Sequence, residues 1–348
     1  MSCVSQEGGI WRMADCLLTI YMLPVVCGFG LLLNGGCLYV FLHHREHPLV
    51  PALTILCICD SMQLLLSIGV LWVPAFHEYS DDSQYNPGLT QAAYLSTGLL
   101  APLLLTANTA SIWTISYISV KRFRVIANPF SEAFQRPKGF ILALIAFLAL
   151  VFNASKWMEY EWRAENELYV HEPSQLARNE YYRFFSDVVL YPACVYIIPF
   201  CLIIGLNLRI LCIINDHHMF SIGHKRRLAR ERRSGMLLMA IMILFISCHT
   251  GGLLIRFVDV QKYQLYPWFI FVKDVINLLF NINSLANPML YFLFTKQFKD
   301  LKIWGKKKRH LCNGQHKVQT TVLLDCVGGV SVEERTTTNG GLLDKCSE

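Results

Sequence analysis

The sequence predicts an all-α membrane protein: a seven-transmembrane helix bundle with a short amphipathic helix after the seventh span. Three observations predict it. The chain is 54% hydrophobic and only 16% charged, where soluble domains sit near a quarter charged, and its mean hydropathy is +0.38. Seven apolar stretches, at about 17–42, 49–76, 93–120, 138–155, 184–214, 234–258 and 268–294, approach or exceed the ~20 residues a helix needs to cross the hydrocarbon core. The segments between them alternate between basic and acidic. At 348 residues the chain has room for one large domain or two ordinary ones.

Taken in order, the first span carries Asn34, and the residues before it contain only Cys3 and Cys16 as outer cysteines. They lack a basic n-region and a clean small-residue cleavage site, so the first helix reads as an uncleaved signal-anchor. The second span holds Asp60, a carboxylate that is costly inside a membrane. It marks either a functional site or a protonated group bonded to a neighbouring helix. The third ends in SVKRFRVIANPF, the fourth is the shortest, the fifth contains Pro199, and the sixth is locally weakened by Gly251 and Gly252. Arg45, the group Lys121, Arg122, Arg124, Arg136 and Lys138, then Lys225 to Arg233, then Lys306 to Arg309 mark one side of the membrane. Glu78, Asp81 and Asp82, then the run from Glu159 to Glu180, mark the other. The basic side faces the cytoplasm, which puts the N-terminus outside a multi-pass plasma-membrane protein.

The same charge distribution accounts for the net charge of +6 without nucleic acid as a partner. Most cysteines lie within apolar spans as small hydrophobes, and no CxxC pair or Cys/His spacing suggests a metal fold. Neither a transporter-type repeat nor a catalytic constellation such as a phosphate loop or HExxH is present, so the protein is not expected to be an enzyme. The polar tail beyond about 305, with Thr336, Thr337 and Thr338 in a run, is expected to be disordered.

The seventh span is the most informative stretch: NLLFNINSLANPMLYFLFTKQFKD, residues 277–300. Amides in hydrocarbon must be answered by protein or trapped water, and Asn283, Asn287 and Tyr291 recur every four residues on one face. Pro288 removes a backbone donor one turn earlier than Tyr291. The apolar run then stops, and Lys296, Phe298, Lys299, Leu301, Lys302, Ile303 and Trp304 form a basic amphipathic helix suited to a membrane surface. Asn287-Pro288-Met289-Leu290-Tyr291 resembles the N-P-x-x-Y motif that closes the seventh helix of rhodopsin-like G-protein-coupled receptors. The short basic helix after it matches too. Asn34, Asp60, Arg122 with Pro129, Pro199 and Phe245 extend the resemblance over roughly 17–304. Within the family the chain looks closest to invertebrate neuropeptide receptors of the FMRFamide type, on FNASKWMEYEW, RRLARERRSGMLLMAIMILF and the seventh-span stretch.

The resemblance implies a receptor domain over 17–304, between an extracellular segment 1–16 and a cytoplasmic tail 305–348. It implies an extracellular ligand, an amidated neuropeptide, and a heterotrimeric G protein on the basic inner face, part of which would also bind membrane lipid. Arrestin would follow phosphorylation of the tail. No cofactor is required. Asp60, Ser111, Asn283, Ser284 and Asn287 match the set that surrounds a sodium ion in many members, and oxygen ligands suit such a hard cation. Arg122, Glu231, Asn287, Pro288 and Tyr291 are the implied switch and coupling residues. Arg122 also reads as an ordinary flank charge. The implied ligand pocket takes Leu104, Asn108, Asp187, Tyr191, His249, Arg256, Asp259, Lys273 and Asn277, though Lys273 reads equally as an interfacial snorkelling residue. Leu104 stands where an amine receptor needs a carboxylate. An acidic outer face, with Asp187 and Asp259 deepest, would draw a cationic peptide.

Several family positions differ. Lys121 replaces the acid before Arg122, His249 the toggle tryptophan, Gly251 the kinking proline and Asn207 an inner tyrosine. Thr97 stands at the third-helix cysteine position and the second outer loop has no cysteine, so both halves of the family disulfide are absent. Two other functions fit the same fold: a chemosensory receptor for a small molecule, and a ligand-trapping receptor that no longer signals. Cys312 reads as a palmitoylation site or as a free thiol. Asn153-Ala154-Ser155 fits a glycosylation sequon but lies close to the bilayer.

Overall fold

A chain in lipid must pair its backbone polar groups within each span, and helices carry most of the computed structural model. It describes residues 9–43, 50–80, 86–127, 139–165, 168–220, 225–258, 260–263 and 265–294. The main helices are α1 (Gly9–His43), α2 (Val50–Tyr79), α3 (Pro87–Arg124), α4 (Gly139–Trp157), α5 (Glu180–Ile213), α6 (Lys225–Ile255) and α7 (Pro267–Phe294). All but α6 are long and apolar enough to cross a membrane. Helix α6 opens with the run KRRLARERR, and its shorter apolar part is Met242–Ile255. The expected amphipathic helix at 296–304 and the tail lie outside the described residues.

Two features differ from the expected fold. Helix α1 starts at Gly9, so half of the segment 1–16 assigned as an extracellular N-terminus belongs to the first helix. Cys16, in the first half of that helix, is disulfide-bonded. The all-α expectation also gives way to a hairpin between α4 and α5, in which β1 (Tyr160–Glu165) pairs antiparallel with β2 (Leu168–Pro173) and Trp162 faces His171. Strand alternation is present in YEWRAE and LYVHEP, but the glutamates in that stretch read as plain outer-loop charge.

No cysteine lies in the hairpin; packing fastens it to α3. Gln91 donates from Nε2 to the Tyr169 carbonyl at 3.1 Å and accepts the Tyr169 N–H at 2.7 Å. The Trp157 indole donates to the Leu99 carbonyl at 3.1 Å. A Cβ at Gly98 would stand 2.6 Å from the Trp162 ring and 3.0 Å from His171, so only glycine lets the hairpin approach this closely. His171 meets Tyr94, Tyr160 and Trp162 edge to face, with centroids at 5.7, 4.8 and 5.5 Å. Burial holds its imidazole below the ordinary value, which keeps the ring neutral among these aromatics.

One core cluster joins the inward faces of the bundle, from Cys37 and Phe41 of α1 through Leu56, Ile112 and Val195 to Phe245 of α6. Val25, Leu32, Phe140 and Phe147 point outward and are at least 60% exposed, as a lipid-facing surface requires. Asn153 is buried near the C-terminal end of α4, where its amide donates to Thr109 Oγ1 at 3.2 Å and the Ala149 carbonyl at 2.8 Å. The sequon is therefore inaccessible in the folded chain. Glycosidase treatment of the expressed protein should leave its electrophoretic mobility unchanged; a downward shift would contradict this placement.

Candidate functional site

Two polar assemblies lie one above the other along the bundle. The deeper one is centred on Asp60 of α2, which is fully buried. Its Oδ1 accepts from Ser111 Oγ at 2.7 Å and Ser284 Oγ at 3.3 Å, and its Oδ2 accepts from Asn287 Nδ2 at 2.9 Å. Asn34 Nδ2 donates to the Ser284 carbonyl at 3.1 Å and to that of Gly30 at 3.0 Å. Gln63 adds a bond to the Phe280 carbonyl at 3.1 Å. These bonds tie α1, α2 and α3 to the middle of α7, because a mid-membrane amide or carboxyl is tolerated only when answered. Asn283 is buried on the same helix. The carboxylate and two hydroxyl oxygens are chemically fit for a hard monovalent cation.

Above it, α2, α3, α5, α6 and α7 enclose a cavity of about 940 Å³. Leu104, Asn108, Asp187, Tyr191, Arg256, Lys273 and Asn277 line it. Asp259 lies outside the described residues. His249 does not reach the cavity: its fully buried ring stacks on Phe280 (5.1 Å, 29°) and lies 4.6 Å from Phe245 and 6.2 Å from Tyr196. Tyr196 and Phe280, which line the cavity, pack between it and His249. Gly252 lines the floor against both rings.

The charge of the wall also differs from the expected acidic face. Lys156 is buried at the end of α4 and donates to Glu159 Oε1 and Asp187 Oδ1, each at 2.6 Å. Arg256 Nη1 lies 4.0 Å from Asp187 Oδ1, and its guanidinium sits 4.4 Å above the Tyr191 ring, a cation–π distance. Two acids meet two bases, so Asp187 is already neutralised and exerts little pull on a cation. The lower wall is uncharged and rich in amides: Gln63, Asn108, Asn277 and Asn281. Among the described residues, the buried Asn281 Oδ1 has no hydrogen-bond partner.

At the other end of the bundle, Arg122 is buried near the end of α3. The side chains of Glu231 and Tyr291 lie outside the described residues. Pro288 is buried within α7.

Sequence reasoning missed Lys156, Glu159, Tyr196, Phe280 and Asn281. Lys156 follows an apparent membrane exit and reads as a flank charge. The rings read as core. Asn281 could have been found, since it lies one turn from Asn277 in the same amide-rich span.

The fold and site define a multi-pass membrane protein with a cavity of about 940 Å³ above a buried polar knot. The chain belongs to the 7 transmembrane receptor (rhodopsin family), whose pattern matches residues 92–291, a family of receptors rather than enzymes. It is 25% identical over 282 residues to the FMRFamide receptor of Drosophila melanogaster, covering 76% of this chain and 49% of that protein. Somatostatin receptor type 1 of Rattus norvegicus is 24% identical over 314 residues, 85% of this chain and 73% of that protein. Neuropeptide FF receptor 1 of Rattus norvegicus is 25% identical over 215 residues, 55% of this chain and 49% of that protein. The chain thus spans about half the length of the first and third of these relatives.

Proposed function

We propose that the chain is a plasma-membrane receptor, a seven-helix bundle with its N-terminus outside, that binds an amidated peptide and activates a heterotrimeric G protein. The observation that carries this reading is the cavity: it is large, its wall pairs Asp187 with Lys156 and Arg256, and it carries the amides of Gln63, Asn108, Asn277 and Asn281. A terminal carboxamide offers both a donor and an acceptor, which suits Asn281 Oδ1, Tyr191 and Asn108. A free carboxylate would lose its hydration against a floor without a cation. The names of the relatives point the same way. Arginine-rich α6 and the inner end of α3 supply the docking surface for the G protein, and phosphorylated tail residues would recruit arrestin. Sodium is proposed at Asp60, held with the Ser111 and Ser284 hydroxyls.

The test is a surface-tagged receptor exposed to paired peptides, amidated and free-acid, with calcium, cAMP and G-protein dissociation read together. A saturable response restricted to the amidated member of a pair is expected; silence at confirmed surface expression would sink the reading. Arg256→Ala should weaken the responding peptide about tenfold, the cost of one charge-assisted contact of ~1.4 kcal/mol, with surface expression unchanged. Unaltered potency would remove Arg256 from the pocket.

A further inference from the structure

Arg256, just past the end of α6, is held in place without using its hydrogen-bond donors. Its guanidinium sits 4.4 Å above the Tyr191 ring, a contact that draws on the charge and not on the N–H groups. Asp187 Oδ1 lies 4.0 Å from Nη1, too far for a hydrogen bond. That same oxygen accepts from Lys156 Nζ at 2.6 Å, so a shorter bond already claims it. Among the described residues the guanidinium donates to no acceptor, although the side chain is only 27% exposed. Arginine presents five N–H donors in a rigid fork and accepts nothing. A largely sheltered fork that lines a cavity and lacks an acceptor is matched by a planar anion.

The balance of charge points to the same group. Among the described residues, the charged side chains that line the cavity are Glu180, Arg183, Asp187, Arg256 and Lys273. Behind them, Lys156 also holds Glu159 at 2.6 Å, and that base and acid cancel. Asp274, beside Lys273 on α7, accepts from Asn277 Nδ2 at 3.2 Å and stands outside the lining. The bases of the lining thus exceed its acids by one, and a single negative charge on a ligand restores the balance. Of the three bases, Arg256 is the one fixed on a ring, and a fork already in place loses less freedom per bond than a mobile chain.

We propose that Arg256 selects peptides carrying an acidic side chain upstream of the amidated end, through two parallel N–H bonds to that carboxylate. The inference rests on the amidated-peptide reading above and narrows it: the preferred ligand holds a carboxylate as well as a terminal carboxamide. It reverses the cationic peptide expected from the acidic residues of the sequence. Lys156 is what makes the reversal work, because it keeps the Asp187 carboxylate from turning onto the fork. Charge-assisted, two-point contacts are the strong ones, so the acid rather than its amide is selected.

The experiment uses full-length receptor in lipid nanodiscs and pools of short amidated peptides. In each pool one position is fixed as Asp, Asn or Arg and the others are mixed. Binding is read as the rise in the thermal unfolding midpoint, so no G protein enters the readout. At one position the Asp pool should reach half-maximal stabilisation at about one tenth of the concentration that the Asn pool needs, with the Arg pool weakest. Arg256→Gln should bring the Asp and Asn pools level. Arg256→Lys keeps the charge without the fork and should fall between. The midpoint without peptide shows that each variant is folded, and the wild-type comparison stands without either. Equal Asp and Asn pools at every position on wild type, or an Asp preference that survives Arg256→Gln, would overturn the proposal and leave the peptide reading intact. Stabilisation by no pool would overturn both. Free-acid pools without acidic residues form the last arm. If they match the amidated Asp pools and lose that strength in Arg256→Gln, the fork reads the chain terminus, and the side-chain proposal is overturned.

Discussion

Gly252→Val should all but abolish ligand-dependent signalling, at reduced but measurable surface expression. A Cβ at that position would stand 2.3 Å from Phe280 Cζ, 2.9 Å from Cε1 and 3.0 Å from the Tyr196 hydroxyl. Phe280 must then leave its place, and with it goes the stack on His249 that closes the cavity floor. Overpacking of this kind costs about 1–3 kcal/mol, and here the strain falls on the contact between α6 and α7. Thermal unfolding of the solubilised receptor and a dose–response curve at matched surface levels measure both parts. Phe280→Ala in the same chain should recover part of the lost stability, because the two changes share one clash. A valine variant that signals like wild type would show that the two helices do not pack this closely.

Asp60→Ala carries the next largest effect. Ser111 and Ser284 can turn their hydroxyls to carbonyls of their own helices, as Ser116 and Ser119 do at 3.1 Å. Asn287 loses the carboxylate that its amide donates to, and a buried amide left without its acceptor costs about 1–3 kcal/mol. The expected result is a lower unfolding midpoint together with weakened ligand-driven G-protein dissociation. Asp60→Asn retains one acceptor and should lie between alanine and wild type. If Asp60→Ala matches wild type in both measurements, the carboxylate does not hold α7.

The membrane spans were legible because lipid imposes a single rule on every crossing, and that rule writes long apolar runs into the sequence. Asp60 was legible for the opposite reason: a carboxylate in such a run stands out. Its partners Ser111, Ser284 and Asn287 followed from the family resemblance rather than from spacing. The hairpin was hidden because its alternation is short and its glutamates look like ordinary loop residues. His249 was misplaced because helical periodicity gives the side of a helix but not the depth, and the rings above it come from α5 and α7. The charge balance around Asp187 was also out of reach, since Lys156 lies 31 positions away in sequence and only folding brings the two together. Glu231 and Tyr291 remain family expectations.

The packing that holds the hairpin on α3 differs from a covalent cross-link in how it can change over evolutionary time. A disulfide is present or absent, and losing either half removes it in one step. Contacts among Gln91, Gly98, Trp162 and His171 are graded, so single substitutions can loosen or tighten the hairpin by fractions of its total strength. The attachment of the hairpin to α3 thereby becomes a quantity that selection can adjust continuously while the helical frame stays constant.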